Sequence, residues 1–284
     1  MIEVSVCVIT YNQEKFIAKT LDSILQQKTN FKFEIVVGED FSSDKTRSIV
    51  QSYINRYPEI VRFNGATKNL GIIPNLIFTL NNCKGEYIAI CDGDDYWLGT
   101  QKLQMQFDTL ELNHQFCMCV HKHIIQKGNK LIKIDLRENK NKKVLNIEDV
   151  LLKLSFHTSS FFFRSKYVRM LPKWYENVHG GDQFLTFCIS KDGDGIYYIE
   201  DYMSVYNINL GSISHNSKAK SILDNTILHL KYFDSFSGYR YSTVIRKRIL
   251  IETLLMSNFF ENRRKIVPCV ICVCRATNSI EFQK

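Results

Sequence analysis

The sequence predicts an α/β fold: a mostly parallel sheet flanked by helices, then a smaller region, then a helical tail. Three observations predict it. Over about the first hundred residues, short runs rich in β-branched residues alternate with stretches that have apolar residues at helical spacing, the pattern of a parallel sheet with helices on both faces. The strand at residues 86–91 runs straight into a carboxylate cluster, and the carboxyl ends of strands are where open α/β sheets bind ligands. After about residue 112 the alternation stops and a hairpin pattern replaces it.

Val4, Val6, Val8 and Ile9 mark a buried first strand, and Thr10-Tyr11-Asn12 is the polar turn after it. Phe16, Ile17, Leu21, Ile24 and Leu25 recur at helical spacing, so residues 13–27 read as an amphipathic helix. A second strand at 33–37 ends in Gly38-Glu39-Asp40. Ser43 or Asp44 caps the next helix, which runs to about Tyr57. A short third strand covers 61–63. The turn Lys68-Asn69-Leu70-Gly71 precedes a helix from about Pro74, and Lys84-Gly85 closes it. A helix over 101–112 follows the acidic turn. Lys127-Gly128-Asn129 joins two apolar runs as a hairpin, and residues 137–143 form a charged loop. A short helix capped at Asn146, a strand over 157–164, a helix opened by His179-Gly180-Gly181-Asp182, and two short strands at 195–200 and 203–206 come next. Residues 218–264 read as helical, divided at Gly238. The expected organisation is a nucleotide-binding half at 1–112, an acceptor-binding half of the same domain at 113–215, and a basic helical extension at 216–284.

With 284 residues, 45% hydrophobic and 23% charged, the chain can bury a sizeable core. The net charge is +8. Residues 216–284 carry twelve Lys and Arg against five Asp and Glu, so nearly all of the excess lies in the tail. A basic tail suits anionic lipid or a polyanionic acceptor, and a plain solvated helix face suits it equally. Arg246-Lys247-Arg248 and Arg263-Arg264-Lys265 flank an apolar stretch, which is an arrangement for a membrane surface, for packing on the main domain or for a homodimer contact. The run at 266–274 is too short to span a bilayer. Met1-Ile2-Glu3 leads directly into a strand, without a signal peptide, and the nine scattered cysteines fit a reducing cytoplasm. Cys269-x-x-Cys272-x-Cys274 lacks a second pair and reads as apolar packing rather than zinc ligation. Nucleic acid is not among the expected partners.

Asp92-Gly93-Asp94-Asp95 places three carboxylates within four positions. Such charges raise one another's pKa unless a cation sits among them, and hard oxygen ligands select Mg²⁺ or Mn²⁺. Gly93 lets the backbone turn sharply and approach a ligand. In a parallel sheet this turn shares a rim with the turns at 10–12, 39–44 and 68–71. Tyr11 can stack on a base, Asp40 can accept from a base N–H, and Lys68 supplies a cation. With Thr10, Asn12, Asn69, Gly71, Asp92 and Gly93 around them, these residues describe a nucleotide-diphosphate pocket. Singly each turn is weak, since Asp40 or Asp44 alone is more often a helix cap. The absence of G-x-x-x-x-G-K-[ST] and of G-x-G-x-x-G disfavours a P-loop NTPase and a dinucleotide dehydrogenase.

Residues 4–100 resemble the inverting glycosyltransferases of family 2, which have the GT-A fold. The opening strand followed by Thr10-Tyr11-Asn12 is similar to the family's, as are Glu39-Asp40-Phe41-Ser42-Ser43-Asp44 (with Glu in place of the first Asp), Asn69-Leu70-Gly71, and the D-x-D-D motif at Asp92-Gly93-Asp94-Asp95. The later half resembles the family more loosely, through Thr158-Ser159-Ser160 with Arg164, Gly181-Asp182-Gln183, and a 206–212 element in which Asn207 and Asn209 replace the usual Arg and His. His215 is the nearest candidate to substitute for them. The resemblance implies a donor nucleotide-diphospho-sugar, a UDP-sugar by expectation, with Mn²⁺ or Mg²⁺ held by Asp94 with Asp92 or Asp95. It implies Asp182 as the base that deprotonates an acceptor hydroxyl. The acceptor would be a saccharide or a lipid-linked precursor in surface polysaccharide synthesis at the inner face of the plasma membrane. Trp97, Ser159, His179, Gly181 and His215 are the expected sugar- and acceptor-pocket residues. Asp182 could equally be a helix cap, His179 structural and Trp97 core. The rivals are an inactive nucleotide- or sugar-binding protein, against which the intact Asp92, Asp94 and Asp182 argue, and a sugar-phosphate nucleotidyltransferase, which would want a Gly-rich basic loop where Tyr11-Asn12-Gln13-Glu14 stands.

Overall fold

The first hundred residues wind as their alternation predicts. Strands β1 (Val4–Thr10), β2 (Phe33–Glu39), β3 (Val61–Phe63) and β4 (Tyr87–Asp92) are linked by helices α1 (Ile17–Leu25), α2 (Thr46–Arg56) and α3 (Ile72–Asn81). The pairs β1–β2, β1–β4 and β2–β3 are all parallel. Thr10 lies opposite Glu39 and Ile9 opposite Asp92, so three strands finish on one rim. The computed structural model describes residues 2–135, 142–152, 155–208 and 219–261.

The remaining elements are β5 (Tyr96–Trp97), α4 (Lys102–Glu111), β6 (Phe116–Lys127), β7 (Lys130–Ile134), β8 (Val144–Leu145), α5 (Ile147–Leu152), β9 (Phe162–Arg164), α6 (Gly181–Ser190), β10 (Gly195–Ile208), α7 (Ala219–Phe236) and α8 (Ser242–Glu261). One ten-stranded sheet runs β3-β2-β1-β4-β9-β6-β10-β5, with β7 on β6 and β8 on β10. Strand β9 lies between β4 and β6, antiparallel to both, and joins the two halves of the chain into a single sheet. Alternate residues of β4 feed two cores: Ile88 and Ile90 face Leu76, Phe163 and Phe184, while Tyr87, Ala89 and Cys91 face Leu21, Leu103 and Phe162.

Four elements differ from expectation. Helix α1 begins at Ile17 rather than residue 13, because the Gln13 and Glu14 N–H groups donate to Thr46 Oγ1 and Asp44 Oδ2 across the rim. Thr158–Ser160 is a turn of 3₁₀ helix, not strand. Ser160 Oγ donates to the His157 carbonyl and the His157 ring accepts from the Ser159 N–H, local bonds that compete with a ladder. The two short strands expected at 195–206 are one strand, β10, whose bulges between Ile199 and Ser204 turn Glu200 and Asp201 outward without ending the pairing. Last, the tail packs onto the body. Leu230, Phe233, Tyr241 and Ile245 belong to the main core, and Arg248, in the basic run expected at a membrane surface, in packing on the main domain or in a dimer contact, is 1% exposed. Arg246 and Lys247 are exposed. Arg263, Arg264, Lys265 and the cysteines at 269, 272 and 274 lie outside the described residues.

Candidate active site

The rim turns of β1 and β2 lock together through side chains. Asn12 takes a left-handed conformation, φ 53°, its N–H donates to Ser42 Oγ at 3.0 Å, and its Oδ1 accepts from the Ser43 N–H at 2.9 Å. Glu39 is buried; it accepts from the Ser42 N–H at 2.6 Å and pairs with Arg47 Nε at 2.6 Å. Asp40 reaches the third turn, accepting from the N–H groups of Leu70 (2.7 Å) and Gly71 (2.9 Å), while Asn69 Nδ2 donates to the Asp40 carbonyl. Gly71 has φ 87°, which its lack of a Cβ permits. Tyr11 is left 47% exposed beside them, and Lys68 and Asn69 are exposed.

At the end of β4 the Asp95 N–H donates to the Asp92 carbonyl, a tight turn that brings the carboxylates close. Asp92 Oδ2 accepts from Thr158 Oγ1 at 2.5 Å. Burial, followed by the Asp94 and Asp182 charges, pushes the Asp92 pKa up to about 7 against the pull of Thr158. Asp95 is 1% exposed. Its Oδ1 accepts from the Asn207 N–H at 3.0 Å. Its Oδ2 lies 3.3 Å from His157 Nδ1 but has no hydrogen-bond partner among the described residues. Burial first, then Asp94 and Asp92, raise its pKa. Burial also keeps His157 neutral, and its Nδ1 is within hydrogen-bond distance of Ser159 Oγ at 2.8 Å. One ligand atom from each of Asp92, Asp95 and His157 lies within 4.8 Å of the others. A half-buried and a buried carboxylate that resist ionising, an oxygen with no partner among the described residues and a neutral imidazole fit a divalent cation.

Asp182 opens α6, which starts from Gly180 in a left-handed conformation, φ 75°. The Gln183 N–H and Ser155 hydroxyl favour its ionised form, yet burial outweighs them and raises the pKa. Beneath it, Tyr175 Oη donates to the Gly181 carbonyl at 2.8 Å. Asp182 and Asp92 come from opposite halves of the chain, and the Asp182 charge is one of the causes that raise Asp92.

The sequence profile described as "Glycosyl transferase family 2" matches residues 5–170. The chain belongs to that family. Its fold is that of GT-A glycosyltransferases. The protein superposes on Staphylococcus aureus TarS 1-349 in complex with UDP-GlcNAc with a TM-score of 0.69, at 18% identity over 98% of this chain and 80% of that one. It superposes on the mannosyltransferase PcManGT of Pyrobaculum calidifontis, in complex with GDP-Man and Mn²⁺, with a TM-score of 0.63 at 17% identity over 97% and 79%. Among curated sequences, an uncharacterized Mycobacterium tuberculosis protein is 37% identical over 117 residues, 41% of this chain and 34% of that protein. The dTDP-rhamnosyl transferase RfbG of Shigella flexneri is 32% identical over 115 residues, 38% of each. The chain thus matches little more than a third of the length of these relatives.

Within this family 2 glycosyltransferase, the rim residues Thr10, Tyr11, Asn12, Asp40, Asn69, Gly71, Asp92 and Gly93 stand on interlocked turns. The other expected residues divide. Trp97 is 3% exposed and belongs to the core under α1, its backbone N–H on Ser23 Oγ and Lys102 Nζ 3.9 Å over its ring, a core position in place of the expected pocket wall. Pairing of β5 with β10 draws it inward. Ser159 is fully buried, bonded to Ser204 Oγ and the His157 ring, and its neighbour Thr158 meets Asp92 instead. Gly181 is buried against Ile73 and Tyr175. His179 is exposed and its N–H donates to Asn225 Oδ1. His215 lies outside the described residues. The grouping of potential ligands also differs: His157, not Asp94, completes the set with Asp92 and Asp95. Sequence reasoning missed His157 as a potential ligand and Thr158 as a partner of Asp92; the signals were a His-Thr-Ser-Ser run read as a strand entrance and the resemblance of Thr158-Ser159-Ser160 to a family element.

Gly93 packs closely against the turn after β1. A Cβ there would meet Gln13 Oε1 at 2.5 Å and Thr10 Cβ at 2.7 Å. Gly93→Ala is expected to destabilise the fold by about 1–3 kcal/mol, the usual cost of overpacking, and to weaken nucleotide binding by displacing the β1 turn. Thermal melts and UDP titration measure both, and a melt and affinity equal to the parent's would contradict the assignment.

Proposed function

We propose that this glycosyltransferase moves a sugar from a nucleotide-diphospho-sugar to an acceptor hydroxyl with inversion, Asp182 serving as general base. The observation that supports it best is that Asp182, at the head of α6, lies near enough to Asp92, at the end of β4, for its charge to help raise the Asp92 pKa. A base works best with its pKa near the working pH, and burial moves Asp182 in that direction. The Asp182 carboxylate takes the acceptor hydroxyl proton as that oxygen bonds to the anomeric carbon. The bond from that carbon to the diphosphate oxygen breaks with its electron pair on the departing nucleotide. Asp92, Asp95 and His157, with Asp94 beside them, would hold Mn²⁺ or Mg²⁺, which when bound neutralises charge on the leaving diphosphate. Tyr11 stacks on the base. Asp40, having given one lone pair of each oxygen to Leu70 and Gly71, retains others for a base N–H.

UDP is the proposed nucleotide, because TarS, crystallised with UDP-GlcNAc, is related to this chain both in fold and, at 35% identity over 98 residues, in sequence. The proposed acceptor is a saccharide or lipid-linked precursor of a surface polysaccharide, a reading supported by the polymer, poly(ribitol-phosphate), in the name of TarS. No helix among the described residues is long and apolar enough to cross a membrane. We place the enzyme in the cytoplasm at the inner membrane face, with exposed Arg246 and Lys247 toward anionic lipid; a homodimer contact through the same helices is the other use of that surface.

Thermal shift with UDP, GDP and dTDP, each with and without Mn²⁺, tests the donor site. Ligand at a hundred times Kd adds about 2.7 kcal/mol of apparent stability. UDP with Mn²⁺ is expected to give the largest rise. No rise with any nucleotide would sink the reading.

A further inference from the structure

We infer that the C-terminal helices α7 and α8 are part of the catalytic apparatus, with Asn225 and Arg248 as positioning residues that fix the α6 terminus carrying Asp182. Both residues lie beyond the 5–170 stretch by which the family is identified. The inference rests on the reading of Asp182 as the base.

Asn225, on α7, grips the approach to α6 from one side. Its Oδ1 accepts from the His179 N–H at 2.9 Å and its Nδ2 donates to the Asn177 carbonyl at 3.3 Å. Gly180 and Gly181 follow at once, and two adjacent glycines leave that approach conformationally loose unless something outside it supplies bonds. Arg248, on α8, grips from the other side. Its Nη1 donates to the Leu151 carbonyl at 2.7 Å and its Nη2 to Gln183 Oε1 at 3.4 Å, while Nε pairs with Glu252 at 2.6 Å. Leu151 precedes by four residues Ser155, which bonds Asp182, and Gln183 is the next residue after Asp182. One guanidinium therefore ties together the two segments that hold the base. Arg248 and Glu252 are 1% and 0% exposed, and a buried ion pair adds little stability over apolar residues of similar size. Its use here is the fork geometry, which holds the Leu151 carbonyl and the Gln183 side chain at a fixed separation. A base misplaced by about 1 Å can cost about 10²-fold in rate.

Arg248→Met alone would strand Glu252 and could unfold the chain. The test is the double variant Arg248→Met with Glu252→Leu, which removes the charges together, and separately Asn225→Ala with Asn225→Asp, the latter keeping the acceptor for His179. Three measurements are made: amide hydrogen exchange over residues 177–185, UDP affinity, and UDP release from UDP-GlcNAc with water as acceptor. Exchange should quicken in that segment with global melting and UDP affinity unchanged. The kcat for UDP release should fall about tenfold at constant KM, and Asn225→Asp should recover part of what Asn225→Ala loses. Parental exchange at 177–185 in the folded double variant overturns the inference whatever the turnover, and so does a loss of UDP affinity in step with kcat. If Asp182→Asn itself transfers normally, the base assignment falls instead, and the exchange result shows which of the two has failed.

Discussion

Asp182→Asn cuts sugar transfer by about 10²–10⁴-fold and leaves donor affinity at the parental value. Asparagine keeps the size of the side chain and an oxygen to accept the Gln183 N–H, so the start of α6 survives, but it cannot take a proton. Nucleotide binding draws on the rim turns of β1, β2 and β4, which Asp182 does not join. The product carries the inverted anomeric configuration, because a single displacement forms no covalent sugar–enzyme intermediate. Transfer rates, UDP titration and NMR of the new linkage measure all three. Retention of configuration, or a variant transferring at close to the parental rate, removes Asp182 from the mechanism.

Asp92, Asp95 and Asp182 cost the metal-free protein stability as pH rises from about 4 to 7, and Mn²⁺ restores it. Asp92, with its pKa pushed up to about 7, and Asp95 and Asp182, both raised by burial, hold protons in the folded chain that the unfolded chain releases near its ordinary carboxylate value of about 4. These three carboxyls therefore make stability fall with rising pH, while His121, His123 and His157, whose pKa values burial lowers, bind protons only in the unfolded chain below about 6.5 and pull the other way, so the comparison of Asp95→Asn with the parent, not the parent's slope, isolates the carboxyl contribution. Glu34 and Asp44, held low chiefly by hydrogen bonds that outweigh their burial, work in the opposite sense only below that window. Asp95→Asn keeps an oxygen for the Asn207 N–H and removes one buried charge. It should melt higher than the parent in EDTA at pH 7.5 and gain nothing from Mn²⁺. Melts at pH 5 and 7.5, in EDTA and in Mn²⁺, give the comparison. An Asp95→Asn variant that melts no higher than the parent in EDTA at pH 7.5, with a parent unmoved by Mn²⁺, would contradict the cation site.

What the sequence by itself determined is the half of the chain whose physics is local. Alternating β-branched strands and 3.6-period helices specify β1 to β4 and their parallel order, and strand-end turns must then share a rim, so Thr10, Asp40 and Asp92 were legible before any coordinates. Asp182 was legible as a carboxylate after two glycines at a helix start. Only the tertiary structure decided what depends on pairings remote in the chain. Thr158 reaches Asp92 across 66 residues, and Asn207 reaches Asp95 across 112. His157 joins those carboxylates because β9 is laid between β4 and β6, and no periodicity encodes that insertion. Trp97 had a sequence context that suited a pocket wall, but pairing with β10 turned it into the core. Arg248 sat in a basic run that a sequence reads as solvated, and burial beside Glu252 made it a tie between α5 and α6. Composition reports how much charge a segment carries. Which side chains face inward is set by the packing partners, and those the fold alone supplies.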